Sequence, residues 1–385
     1  MIKAFLGKQN SVAKKIKREL DAWLSRRPCD ALTPTPSVSE CKAFDDDAVV
    51  ARLISSYKSA VAKHPEGDSM WSFIASKHHE LLHDALIASD TQKVKEILAN
   101  PTHSNIMYGF DTSCKEFRRS QMKSIQNMCN HIQDYLLSLC ESVGVIPLFN
   151  PESLAANPKE YLSSRANWDG LETDVLIDLL NNKFGVELSF KEVFPGEIGL
   201  KSGRGTIPHR AVMALYLASR LRHIVSCFMG GREDISICEL GAGTGRSAYF
   251  AYQLGIKNYS IVDIPFTATI SGFFLAASCG AANVAMPGED RSGTAPIKIM
   301  HPEGFLETNE KYDIIVSMDS FTEFGKKTAE CYTQKILEVG KSFLSINHEM
   351  NEVVVRDQMR ESGWKNMYRY PCWIRPGYVE EFWLR

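Results

Sequence analysis

Residues 234–265, DISICELGAGTGRSAYFAYQLGIKNYSIVDIP, constrain the fold of this chain more than any other stretch. Ile235, Ile237 and Leu240 make a short apolar run that predicts a buried strand, with Glu239 near its carboxyl end. Gly241, Gly243 and Gly245 follow at alternate positions, and a helical segment runs from Arg246 to about Leu254. A second apolar strand, 259–264, carries Asp263 near its end. Strand, glycine turn, helix, strand and acid compose the first half of a nucleotide-binding α/β unit. In such units the ligand lies outside the carboxyl ends of parallel strands.

The glycine spacing narrows the ligand. A dinucleotide fingerprint, G-x-G-x-x-G, needs its third glycine where this chain has Arg246, and no Gly-Lys-Ser/Thr follows as a P-loop would require. ELGAGTG instead resembles the first motif of S-adenosylmethionine-dependent methyltransferases of the Rossmann-like class. The resemblance implies that Gly241, Gly243 and Gly245 let the backbone approach the amino-acid part of the cofactor. It further implies that Glu239 and Asp263 belong to the cofactor site, with Asp263 on the ribose hydroxyls.

A chain of 385 residues is long enough for two to three domains. Its formal charge of -2 argues against a protein devoted to nucleic acid. No run of 18 apolar residues would span a membrane, and the basic N-terminus lacks the apolar stretch of a signal peptide. Ten cysteines without C-x-x-C spacing read as reduced thiols of a cytoplasmic protein.

The front of the chain reads as helical, giving an all-helical N-terminal domain over 1–194. A basic amphipathic helix at 10–27 carries Val12, Ile16, Leu20, Trp23 and Leu24 on one stripe. Such a stripe suits a neighbouring helix better than a membrane surface. Residues 28–47, with Pro28, Pro34 and Pro36, read as a flexible connection. Helices are predicted over about 47–63, over 69–99 with a break near Ser89-Asp90, along a long stretch after Asp111, and over 172–182. The sequence HHELLHD contains a formal H-E-x-x-H, with His79 and His83 as zinc ligands and Glu80 as base. Ile74, Leu81, Leu82, Ala85 and Leu86 favour a packed helix bordered by histidines instead, and no third ligand is apparent.

Residues 195–385 read as the methyltransferase domain. Its entry, PGEIGLKSGRGTIPHR, places four glycines among Lys201, Arg204, His209 and Arg210. Glycine hinges and cationic donors suggest a mobile lid over an anionic ligand, the alternative being a domain linker. Beyond Asp263 the alternation of helix and strand continues, with strands near 283–286, 312–318, 342–347, 367–370 and 381–384. Glu289 and Asp290 could face an adenine amino group or solvent. Seven strands with intervening helices fit an α/β, Rossmann-like methyltransferase sheet whose last strand runs antiparallel.

Three later blocks resemble the sugar O-methyltransferase family of bacterial polysaccharide gene clusters. They are Asp263-Ile264-Pro265 after the second strand, Asp319-Ser320-Phe321-Thr322-Glu323-Phe324, and Ser345-Ile346-Asn347. The second block departs from the family's Asn-Ser-x-x-Glu-Met at its first and last positions. The resemblance covers roughly 195–385 and implies a saccharide or nucleotide-linked sugar as acceptor and S-adenosyl-L-methionine as cofactor. A sugar hydroxyl is a poor nucleophile near neutral pH and needs a base or a metal. Candidates are Asp319, Glu323, His348, Glu349 and His209, with Arg210 and Asp319 also placed near the cofactor. Asp319 and Glu323 could instead share a divalent ion with sugar hydroxyls. Methylation of another small metabolite, or a silent cofactor-binding scaffold, are the competing readings.

Overall fold

Ile237–Leu240 (β3) and Tyr259–Val262 (β4) are buried at every position, which is what apolar strands covered on both faces by helices require. They pair in parallel, as the sequence around the glycine turn predicts. The computed structural model that shows this describes residues 34–42, 44–62, 70–111, 113–148, 172–289, 295–360 and 362–385. The amphipathic helix expected at 10–27, Asp290, and most of 144–170 lie outside the described residues.

The main sheet has eight strands in the order β5-β6-β4-β3-β7-β8-β10-β9. Here β5 is Val284–Ala285, β6 Ile297–Met300, β7 Ile314–Met318, β8 Ser342–His348, β9 Lys365–Pro371 and β10 Tyr378–Leu384. The expected count of seven is therefore corrected to eight. The strand expected near 283–286 is a two-residue edge piece, and β6, unforeseen, stands between it and β4. Pairing is parallel from β5 to β8, while β10 runs antiparallel to both of its neighbours. This is a Rossmann-like α/β sheet, parallel except at its β10–β9 end. Chain order reverses at β3, which lies between β4 and β7, so the switch point where such sheets open a crevice falls at the glycine turn.

Two loop expectations are corrected. Pro36–Val38 (β1), from the supposed flexible connection, pairs antiparallel with Ile198–Leu200 (β2), from the supposed lid. Two glycines of 195–210 serve close packing. A Cβ on Gly199 would lie 2.3 Å from the Ile207 carbonyl oxygen, and one on Gly205 would lie 2.1 Å from that of Phe190. Arg204 turns onto Asp178, with Asp174 and Glu187 nearby, and these ion pairs leave it no part in a lid.

Helices Asp47–Val61, Met70–Ile74, Glu80–Ala88, Thr91–Ala99, Lys115–Lys123, Ile125–Ser142 and Thr173–Phe184 make up the described front half. A single apolar core joins them to the sheet, running from Val50 and Leu53 through Phe273 to Phe382. Helix Asp47–Val61 lies against helix Pro265–Cys279, where Leu53 meets the side of Gly272. Arg52 clamps this contact by donating to both oxygens of Glu289 and to the carbonyls of Ala281 and Val284. Glu289 is thus occupied within the fold.

Helix His209–Phe228 is long and apolar enough to cross a membrane, but about two thirds of its apolar window is buried inside the fold. A buried polar cluster ties it to the sheet. Tyr216 Oη donates to Glu380 Oε2 at 2.8 Å, Arg220 Nε donates to Oε1 at 2.9 Å, and Tyr368 and Tyr370 complete the shell. The helix start, with Arg210, is therefore fixed against the carboxyl end of the sheet.

Candidate functional site

The carboxyl ends of β3, β4 and β7 open onto a cavity of about 590 Å³, a volume in the range of small-molecule and cofactor sites. Of the residues expected at the site, Glu239, Gly241, Gly243, Asp263, Arg210, Asp319 and Glu323 all line it. Gly241 and Ser320 show why the floor has its shape. Gly241 has φ +77°, and a Cβ there would lie 2.4 Å from that of Ser320. Ser320 Oγ donates to the Leu240 carbonyl at 2.7 Å, while its N–H donates to Asn347 Oδ1 at 3.0 Å. Asn347 in turn donates to the Ser317 carbonyl at 3.1 Å. The residues of the second and third family-like blocks thus knit the ends of β3, β7 and β8 together.

Gly243 has open space where a side chain would stand, with only Phe110 Cβ at 3.9 Å. Its N–H donates to Asp263 Oδ2 at 2.9 Å, and the Ile264 N–H donates to Oδ1 at the same distance. Each oxygen retains acceptor capacity for a further donor. Burial pushes the Asp263 carboxyl up to about 7 against the pull of these two N–H groups. Burial also raises Glu239 to about 7; it accepts from Tyr259 Oη at 3.1 Å. Gly245 stands apart from the cavity. It brings helix Arg246–Gln253 onto helix Pro265–Cys279, where a Cβ would lie 2.9 Å from Leu275 Cδ1.

Asp319 follows β7 with φ +57°, a left-handed conformation uncommon outside glycine. Its carboxylate accepts from Arg210 Nη1 at 3.1 Å and is contacted by Arg375 and by Tyr378 Oη. Burial works to raise its pKa, but the Arg375 and Arg210 guanidiniums outweigh it and hold the carboxyl below its ordinary range. The Arg375 guanidinium also stacks on the Tyr378 ring, 3.8 Å from its centroid. Asp319 is therefore a charged clasp for two arginines and a poor proton acceptor. Glu323, one turn on, differs. Burial and the neighbouring Asp319 charge raise it to about 7, where it can exchange a proton near neutral pH.

The structure does not bring the two candidate histidines to the cavity. His209 is packed among the rings of His131 and Tyr135, and burial, with the Arg210 charge, lowers it to about 3. His348 accepts the Met350 N–H at 3.2 Å and sets its ring against Tyr378, 5.4 Å between centroids. Glu349 pairs with Arg369 on the β9 side. The H-E-x-x-H residues also diverge. His79 ends a π-helical turn and stacks face to face on Phe266 at 3.8 Å, whereas His83 Nδ1 bonds Tyr57 Oη at 2.7 Å. Among the described residues no cluster of three His, Cys, Asp or Glu could hold a metal.

Sequence reasoning missed Trp71, Phe110, Arg375 and Tyr378, all of which line the cavity. The Arg-Pro-Gly-Tyr turn at 375–378 was the one available signal for the last two. Because β10 is antiparallel, that turn returns to the carboxyl edge of the other strands.

No protein-family model matches this chain, and no curated protein does. Solved structures to which it is similar include two proteins described as methyltransferases and one described as a methylase. One is the magnesium protoporphyrin IX methyltransferase of Synechocystis with bound SAH, at 10% identity and TM-score 0.35, covering 48% of this chain and 90% of the other. Another is the ribosomal protein L11 methylase of Lactobacillus delbrueckii, at 13% and 0.33, covering 45% and 79%. The third is the glycopeptide N-methyltransferase MtfA with sinefungin, at 12% and 0.33, covering 43% and 93%. Likenesses of this size identify no substrate.

Proposed function

We propose that this chain is an S-adenosylmethionine-dependent O-methyltransferase whose acceptor is a hydroxyl of a sugar or sugar-containing molecule. The observation that carries the reading is the cavity floor, where Gly243 leaves space and presents its N–H to Asp263. The residues suit the cofactor. Asp263 retains acceptor capacity for vicinal ribose hydroxyls, and the carboxyl groups of Glu239, Asp263 and Glu323 suit a sulfonium cation. The later blocks around Ser320, Glu323 and Asn347 support a sugar acceptor by resemblance alone.

When bound, the cofactor supplies a methyl group on an electron-poor sulfur. The chain's own residues do the rest. Glu323 takes the proton from the attacking hydroxyl, Arg210 and Arg375 are held in place by Asp319, and the cavity walls restrict the approach to one line.

Titration calorimetry with S-adenosylmethionine tests the cofactor half of the proposal. Hydrogen bonds to a charged group contribute about 1.5–3 kcal/mol, so Asp263→Ala should weaken binding by roughly 10- to 150-fold. Equal affinities would reject the site. Mass spectrometry with a panel of glycans and nucleotide-linked sugars tests the acceptor half, the expected result being a gain of one methylene. Glu323→Gln should lower kcat by about 10²–10⁴.

A further inference from the structure

Trp71 belongs to helix Met70–Ile74, in the helical half of the chain, yet it lines the cavity. Its indole N–H, the side chain's one donor, faces the Glu323 carboxyl and works to lower its pKa. The ring is held from behind. Gly109, at φ +103°, has no side chain, and a Cβ there would lie 3.1 Å from Cη2 and Cζ3 of the indole. The Phe110 ring lies 6.4 Å from the indole between centroids and lines the same wall. The segment carrying these residues is tied to the glycine turn. Asp111 faces Arg246, at 3.9 Å, and Ser113 donates to Glu197, which is ion-paired with that same Arg246.

We infer that Trp71 is a positioning residue for the reaction: it orients the Glu323 carboxylate across the cavity, so the helical half completes the active site. This rests on the methyltransferase reading and on Glu323 as its base. The groups facing Glu323 are few. Asp319 adds a negative charge, Arg210 and Arg375 add positive charges, and Trp71 supplies a neutral donor. The N–H stabilises the carboxylate over the acid, so removing it leaves the other three in place and raises the pKa of the base.

The test is the pH profile of kcat/KM for the full chain carrying Trp71→Phe, which keeps a ring over Gly109 and removes the donor. The acidic limb should move to higher pH by about one unit. Activity at pH 7 should fall several-fold and recover towards the wild-type value as the pH is raised. S-adenosylmethionine affinity should stay within about twofold. Trp71→His, which restores a ring N–H, should bring the limb back towards its wild-type position. In a Glu323→Gln background, Trp71→Phe should cause no further loss. An unmoved limb, an equal fall at every pH, additive losses in the double variant, or a Trp71→Phe chain that does not fold would each overturn the assignment. Wild-type protein that binds no S-adenosylmethionine would reject the underlying reading instead, and calorimetry separates that result before any rate is measured.

Discussion

Two glycines in one turn have different tasks. At Gly241 a methyl group would collide with Ser320, which is itself bonded to Leu240 and Asn347. At Gly243 the space is open on the cavity side. Both hold left-handed backbone, which costs any other residue roughly 1–2 kcal/mol. Gly241→Ala should therefore lower the melting temperature well beyond that cost. Gly243→Ala should lower it modestly while losing most S-adenosylmethionine affinity. Thermal melts with and without cofactor check the pair, and equal melting losses would contradict the distinction. At this scale the sequence was most readable: Glu239, the glycine turn and Asp263 lie within one local strand–turn–helix–strand unit, where spacing translates directly into position. His348 and His209 stay outside the cavity, because a place in the sequence near a strand end or a loop does not fix where a ring points.

Elements were legible in proportion to how local their causes are. Strands β3, β4, β7 and β8 are apolar runs buried on both sides, and the sequence marks them clearly. The four residues of β6 follow a run rich in Gly, Ser and Pro and include Lys298, so they show neither the length nor the continuous apolar pattern of a core strand. The 195–210 segment shows the opposite failure. Its glycines look like hinges, but their cause is backbone packed against them from Phe190 and Ile207, which no spacing rule can reveal. The consequence is testable with two arginines from one segment. Arg204→Ala removes partly exposed ion pairs worth about 0–1 kcal/mol and should leave cofactor affinity within twofold. Arg210→Ala removes a cavity donor to Asp319 and should lower kcat/KM at least tenfold. Matching losses of activity in both variants would restore the lid.

At the scale of the whole molecule, the apolar core crosses from the helical half into the sheet without interruption among the described residues. Arg52 reinforces that crossing with hydrogen bonds to Glu289 and two carbonyls. Calorimetry should show one cooperative unfolding transition, because neither half can open without exposing apolar surface of the other. Arg52→Ala should lower its midpoint without splitting it. Two separate transitions in the wild type would show that the halves unfold independently. The junction was invisible in the sequence because helix Asp47–Val61 and helix Pro265–Cys279 meet only after the chain has folded.

The reversed strand β10 has a consequence for how the cavity is made. Its first residue, Tyr378, and the turn before it, with Arg375, line the cavity that Trp71 also lines. The ribosome delivers the Trp71 side roughly 300 residues before the Arg375–Tyr378 side, a wait on the order of tens of seconds at ordinary translation rates. Until the later one emerges, Asp319 lacks two of its three partners and β8 lacks its antiparallel neighbour. A nascent chain stalled before Arg375 should therefore be unable to turn over acceptor, even with its glycine turn already in place.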